Sequence, residues 1–358
     1  MILKHSPNFC TKCGNDLSTT LEQLQQTRQV IDIPIIRTVT TEHQSFVKTC
    51  TCGYKNKGDF PVNVNGNVQY GQGVESMTAY FSVRQFMPFQ RMKECFKDLF
   101  NLPLSTGTLV NLINRMALKA TPAYLQIKEN ILASPVLGSD ETGAKVGGTK
   151  GWFWVWQNKL NTFIVSDQSR GYQVITKHFP DGLQNAILET DCLPAQLKTQ
   201  TKGNQLCLAH LLRELNYFIE CHQNDWAKKL KQVLMESISF KKQMEDYTIE
   251  NTIRDQLQKQ LDQLLESNLE QHPKPLKTFH KRLLKNRESI FPFLHHPEVH
   301  SDNNASERAI RNIKVKQKVS GQFNSQVTAS QFAVLRSIID TSIKNKTNIF
   351  ENLTLLAN

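Results

Sequence analysis

No stretch of the chain approaches the roughly 18 uninterrupted apolar residues that cross a bilayer. The opening MILKHSPNFC also lacks the apolar core of a secretion signal. A membrane-spanning or exported protein is therefore not expected, and a cytoplasmic one is. Cysteine is scarce: eight in 358 residues are too few for a disulfide framework. Acids are short relative to bases, 32 Asp and Glu against 43 Lys and Arg, which leaves a formal charge of +11. That balance suits a polyanionic partner, although charge alone does not separate nucleic acid from an anionic membrane surface. What remains is a chain long enough for two or three domains with buried cores.

Four of the eight cysteines fall in the first 52 residues, as Cys10-Thr-Lys-Cys13-Gly14 and Cys50-Thr-Cys52-Gly53. The glycine after each pair permits the tight knuckle that turns two thiolates toward one ion. Cys10, Cys13, Cys50 and Cys52 are thus a candidate structural Zn2+ site for residues 1–60, a segment so short and polar that metal would supply most of its folding free energy. The second pair is spaced C-x-C, so His43 stays open as a substitute ligand, and a redox role for the first pair is the rival reading. Residues 61–73, PVNVNGNVQYGQG, read as a linker. Residues 74–133 have helical periodicity, broken at NLPLST, where Ser105 or Thr106 can cap the next helix. They form either a helix-turn-helix presenting Asn111, Asn114 and Arg115 to DNA or a plain helical hairpin beneath the following domain.

The chemistry centres on SPVLGSDETG, residues 134–143, where an apolar run delivers Asp140 to a strand end beside a glycine turn. Gly147, Gly148 and Gly151 mark turns, residues 152–156 a second strand and residues 161–166 a third: an antiparallel meander of nuclease-like character. Residues 170–179 read as a helix, and AILETD, residues 186–191, repeats the first pattern. A right-handed crossover lays this strand parallel beside the first and brings Asp191 near Asp140. An aspartate that merely ends a strand in an Asx-turn is the bland alternative, so the reading depends on partner acids.

Residues 204–290 are helical in pattern, with Leu208, Leu211, Leu212, Leu215, Phe218 and Ile219 on one face and Leu257, Leu261, Leu264 and Leu265 striping residues 249–271. Cys207 and His210 also share a helical face, and a buried thiol beside a hydrogen-bonded imidazole accounts for them without metal. In HSDNNASERAIR, residues 300–311, Asn304 and Glu307 fit a capping box, and Glu307 with Arg311 an i,i+4 ion pair. The competing reading makes Glu307 a third metal-binding acid, with Arg308, Arg311, Lys314, Lys316 and Lys318 lining up DNA phosphates.

Taken in order, DETG, WFWV, SRG, Asp191, CLAHLLREL, DNNASERAIR and KVSGQF resemble the insertion sequence 66 family of bacterial DDE transposases. The likeness spans nearly the whole chain, the cysteine segment included. It implies an α/β fold: an RNase H-like mixed sheet with an all-helical insertion, preceded by a helical domain and a small zinc ribbon. On that division the catalytic core occupies residues 134–203 and 296–358, and the insertion residues 204–295. The implied catalytic acids are Asp140, Asp191 and Glu307. Two unit charges 4 Å apart repel by about 4 kcal/mol at an effective dielectric of 20, so the acids call for divalent cations: two Mg2+, with Mn2+ as a substitute.

The implied activity is Mg2+-dependent cleavage at transposon ends and strand transfer into target double-stranded DNA. It would be carried out by a homodimer or larger assembly, with accessory proteins of the same element, in the cytoplasm and on the nucleoid. Only nine residues precede Cys10, where family members often have a longer helical region, so the resemblance implies either reduced end recognition or multimerisation or a shortened copy of the element. The rival readings are an inactive or repurposed transposase acting as a zinc-containing DNA-binding protein, and a nuclease that cuts without joining.

Overall fold

Burial begins late in this chain. The computed structural model describes residues 2–34, 36–244 and 252–357, and none of those before Glu75 is buried. The first 60 residues hold two knuckles. In one, Phe9 bridges Asp16 and Gly14 takes a left-handed φ of 77°. In the other, strands β1 (Val47–Thr49) and β2 (Lys55–Lys57) pair antiparallel, with Gly53 at 85°. Both glycines thus adopt the left-handed turn that the two C-G sequences suggest. Leu21, Val30 and Ile31, between the knuckles, are more than nine-tenths exposed, so apolar burial contributes nothing to holding this segment.

Helix α1 (Gln72–Ala79) runs into a π-helical turn, Tyr80–Arg84, and is followed by α2 (Phe89–Phe100), α3 (Thr106–Lys119) and α4 (Thr121–Leu132). Ser105 caps α3 as expected, accepting the Thr108 amide at 3.0 Å. The turn before it is closed by Asn101 in left-handed conformation. These helices are not an independent body. Met116, Ala120, Ile127 and Ile131 belong to the same core as the sheet that follows, while α2 and α3 share a satellite cluster of Met92, Phe96, Leu109 and Leu112. Of the three residues proposed to face DNA, Asn111 is exposed, Arg115 pairs with buried Glu75 at 2.9 Å, and Asn114 lines an internal cleft.

The sheet comprises β3 (Val136–Val146), β4 (Thr149–Gln157), β5 (Thr162–Asp167), β6 (Leu183–Thr190) and β7 (Thr201–Leu206), in the order β5-β4-β3-β6-β7. The first three strands form the expected antiparallel meander. After α5 (Tyr172–His178), β6 returns parallel to β3, and after α6 (Pro194–Leu197), β7 returns parallel to β6. Phe153, Trp154, Val155 and Trp156 are all fully buried because both faces of β4 are covered, which is why WFWV does not alternate with polar residues.

Two expectations need correction. Asp140 is not at a strand end, since β3 continues through Gly143 to Val146. The expected boundary between residues 203 and 204 falls inside β7, whose TKGNQL has one large apolar residue and so no strand signature.

The insertion consists of α7 (Leu208–His222), α8 (Asp225–Gln243), α9 (Thr252–Leu265), α10 (Lys274–Lys285) and α11 (Pro292–His295). It has its own core, in which Leu211, Leu215 and Phe218 meet Trp226, Leu230, Leu257, Leu261 and Phe279. Both leucine stripes read from the sequence point into it; residues 249–251 of the second lie outside the described residues. The chain then returns to the sheet through α12 (Asn304–Ser320), α13 (Gln326–Lys344) and α14 (Ile349–Ala357). Helix α12 crosses β3 and β4, and α13 crosses β5. No helix among the described residues is long and apolar enough to cross a membrane.

Candidate active site

Strands β3 and β6 pair only over residues 136–138 and 187–189, and then part. Asp140, inside β3, and Asp191, the residue after β6, stand immediately beyond that parting, as the repeated acid-after-apolar pattern suggests. Cys192 turns the chain away with a φ of 69°. The third acid arrives from α12. Glu307 lies in its first turn, and the residue before the helix is Asn303, whose side chain makes no capping bond. The capping box expected at Asn304 is therefore absent. The expected pair with Arg311 is not formed either; instead Glu307 Oε1 lies 3.8 Å from His210 Nε2.

His210 sits between the second and third acids. Its Nδ1 is 3.3 Å from Asp191 Oδ1, an approach too poorly aligned for a hydrogen bond. Asn303 fastens the assembly: its Nδ2 donates to Ser139 O at 2.7 Å and to Asp191 Oδ1 at 3.4 Å, and its backbone amide donates to Cys207 Sγ at 3.2 Å. Cys207 is buried, as expected, and burial pushes its thiol up to about 11. Ligand atoms of Asp191, Cys207 and His210 lie within 4.8 Å of one another. The sequence shows Cys207 and His210 on one helical face but not the carboxylates that His210 meets.

Gly138 makes this docking sterically feasible. A Cβ there would collide with the side chains of Gln157, Ser306 and Asn303, so α12 seats on β3 only over a bare backbone.

Successive residues of a strand face opposite sides of a sheet. Asp140 faces α12, and Glu141 turns to the other side, where Arg170 donates to its Oε1 at 2.7 and 3.0 Å and Gln196 to its Oε2 at 3.2 Å. Burial first, then the charges of Asp191 and Glu141, push Asp140 up to about 8. Burial also raises Asp191, against the opposing pull of His210 and Asn303. Three partly buried carboxylates, two of them raised by burial and by the charge of neighbouring acids, form a hard oxygen donor set that fits Mg2+ or Mn2+.

Around the acids the surface is basic. Arg311, Lys314 and Lys318 follow Glu307 by four, seven and eleven residues and so continue its stripe along α12, with Arg308 beside it; all four are exposed. Lys314 Nζ also donates to Gly143 O at 2.6 Å. Lys316 does not belong to this row. Nine residues beyond Glu307 is half a turn away, and Lys316 lines an internal cleft of about 360 Å3 with Asn114 and Phe323, where burial lowers its pKa. On the flank, the Trp152 ring carries Lys150 Nζ at 4.7 Å and the Arg170 guanidinium at 4.8 Å.

The four ribbon cysteines are not brought together. Cys10 faces Cys13 and Cys50 faces Cys52, but no three of the four sulfurs come within 4.8 Å of one another. His43 is exposed and joins neither pair.

A family model described as "Transposase IS66 family" matches residues 67–331. No curated protein sequence matches the chain.

Proposed function

The chain belongs to the IS66 transposase family, and from that premise we propose that its sheet is an RNase H-like catalytic fold. On this reading it binds double-stranded DNA, cuts at transposon ends and joins them to target DNA through Asp140, Asp191 and Glu307. The observation that carries the reading is the convergence of these three acids from β3, β6 and α12, with Asp140 pushed up to about 8. The strand order, three antiparallel strands followed by two parallel ones, also supports it.

The three carboxylates would hold Mg2+, and bound divalent cations supply the charge that activates a water or a 3′-hydroxyl and stabilises the leaving oxygen. The chain's own residues do the rest. Asn303 fixes the Asp191 carboxylate to β3, and Gly138 lets Glu307 approach. Arg308, Arg311, Lys314 and Lys318 present positive charge to the phosphates beside the acids. Arg170 holds Glu141 away on the opposite face of the sheet. In the ribbon, Cys10, Cys13, Cys50 and Cys52 would take Zn2+; the absence of any buried side chain among its described residues favours a metal as its organising element.

The test is strand cleavage and joining on a labelled duplex carrying the DNA that flanks the gene, with Mg2+ present and then chelated. Wild type is expected to give cut and joined products only with metal, and Asp140→Asn to bind the duplex without cutting it. Comparable cutting by Asp140→Asn would remove that residue from the catalytic set. Binding by wild type with no products would favour a repurposed DNA-binding protein, and cutting without joining a nuclease.

A further inference from the structure

The insertion does more than space Asp191 from Glu307. On α7, His210, Arg213, Glu214 and Tyr217 fall at i, i+3, i+4 and i+7 and therefore share one face. That face begins at the acids, through His210, and leads outward into an open groove of about 670 Å3 between α7 and α10.

The groove is cationic. Arg213 is exposed, and its charge is felt at Asp191. Lys274 opens α10, a helix in which five of twelve residues are Lys or Arg. Among the described residues neither Arg213 nor Lys274 pairs with a carboxylate within ion-pair distance. The groove's one acid, Glu214, is tied to Arg282 at 2.6 Å, and that guanidinium lies over Phe279 at 5.1 Å.

The groove also presents an aromatic surface. Tyr217 is 51 % exposed, and its ring is steadied by edge contacts to Phe218 and His222 at 5.5 and 5.8 Å. Free cations beside a rigid, half-exposed ring suit a strand with an unpaired base, because phosphates take the charges and a base takes the ring. A fully paired duplex keeps its bases stacked inside and would leave Tyr217 unused.

We propose that the groove between α7 and α10 holds the DNA strand leaving the acid cluster, with phosphates on Arg213 and Lys274 and one unstacked base on Tyr217. The proposal rests on the transposase reading above. Seven residues of helix separate Tyr217 from His210, about 10 Å, so the ring lies roughly three stacked nucleotides from the cleaved phosphate.

The experiment measures binding of the full-length protein to two labelled DNAs of the same length, one fully paired and one forked with an unpaired arm at the transposon end. Wild type is expected to prefer the fork. Tyr217→Ala should weaken fork binding on the order of tenfold and leave the paired duplex nearly unaffected, while Tyr217→Phe keeps the preference. Arg213→Ala and Lys274→Ala should each reduce the salt-dependence slope on the fork by about 0.7. Wild-type fork binding unchanged in Tyr217→Ala and in both cation variants would overturn the groove's role. So would a wild type that cuts and joins DNA yet shows no preference for the fork, and that outcome leaves the transposase reading standing. A wild type that binds neither DNA would overturn both.

Discussion

At the scale of single residues, the acids account for the site and for its response to pH. Asp140 is pushed up to about 8 from an ordinary carboxylate value of 3.8, and Glu141 and Asp191 are raised in the same direction. In the metal-free protein, between about pH 4 and 8, the folded state keeps a proton on Asp140 that the unfolded chain has already released. The contribution of Asp140 to stability is therefore most favourable below pH 4 and is lost as pH rises toward 8. On the proposed reading Mg2+ binds the deprotonated form, so its stabilising effect would grow over the same interval. Thermal melts with and without Mg2+ should show a larger rise in Tm at pH 8 than at pH 5.5; an equal rise at both would mean that Asp140 is already ionised without metal. Asp140 and Asp191 were legible because each follows an apolar run. Glu307 was ambiguous, since a capping box and a metal-binding acid share one spacing; the capping box is absent and Glu307 turns toward His210. Gly138 gave no signal at all, because what it must clear lies on α12.

At the scale of elements, α12 shows how a charge run divides once it is wound into a helix. The five basic residues look like one row in sequence, but 100° per residue places Arg311, Lys314 and Lys318 with Glu307 and sends Lys316 to the opposite side. The expected result follows from counterion release. Arg311→Ala and Lys318→Ala should each lower the magnitude of the log Kd against log salt slope by about 0.9 on duplex DNA, and Lys316→Ala should leave it unchanged. Binding titrations between low and moderate salt measure this, and an effect of Lys316→Ala equal to the others would place DNA on both sides of the helix. The sequence reading placed all five in one row, although the helical period carries the signal that sets Lys316 apart. Strand β7 was not legible, because its side chains are mostly polar and its place is set by β6 and the insertion's core, neither adjacent in pattern.

At the scale of the whole molecule, the meander, the return of β6 beside β3 and the separate helical core were legible from periodicity and the crossover rule, because each of these elements buries a face large enough to leave a repeat. How the two cysteine knuckles approach each other was not, since nothing apolar between them sets a path. The expectation for the ribbon is about one zinc per chain by metal analysis of purified protein, lost in Cys10→Ser, with the far core's thermal transition unchanged. Absence of zinc from wild type would return the C-x-x-C pair to the redox reading. The distribution of the acids along the chain has a further consequence. Asp140 lies in β3 and Asp191 directly follows β6, the strand that pairs with β3, but Glu307 lies behind a helical unit with a core of its own. Because domains fold as units during synthesis, amino-terminal first, the first two acids leave the ribosome well before the third, and Glu307 emerges together with the basic row of α12. Ordering of the insertion thus acts as a timer: the last acid reaches the sheet only after α7–α11 have closed and α12 has followed them out.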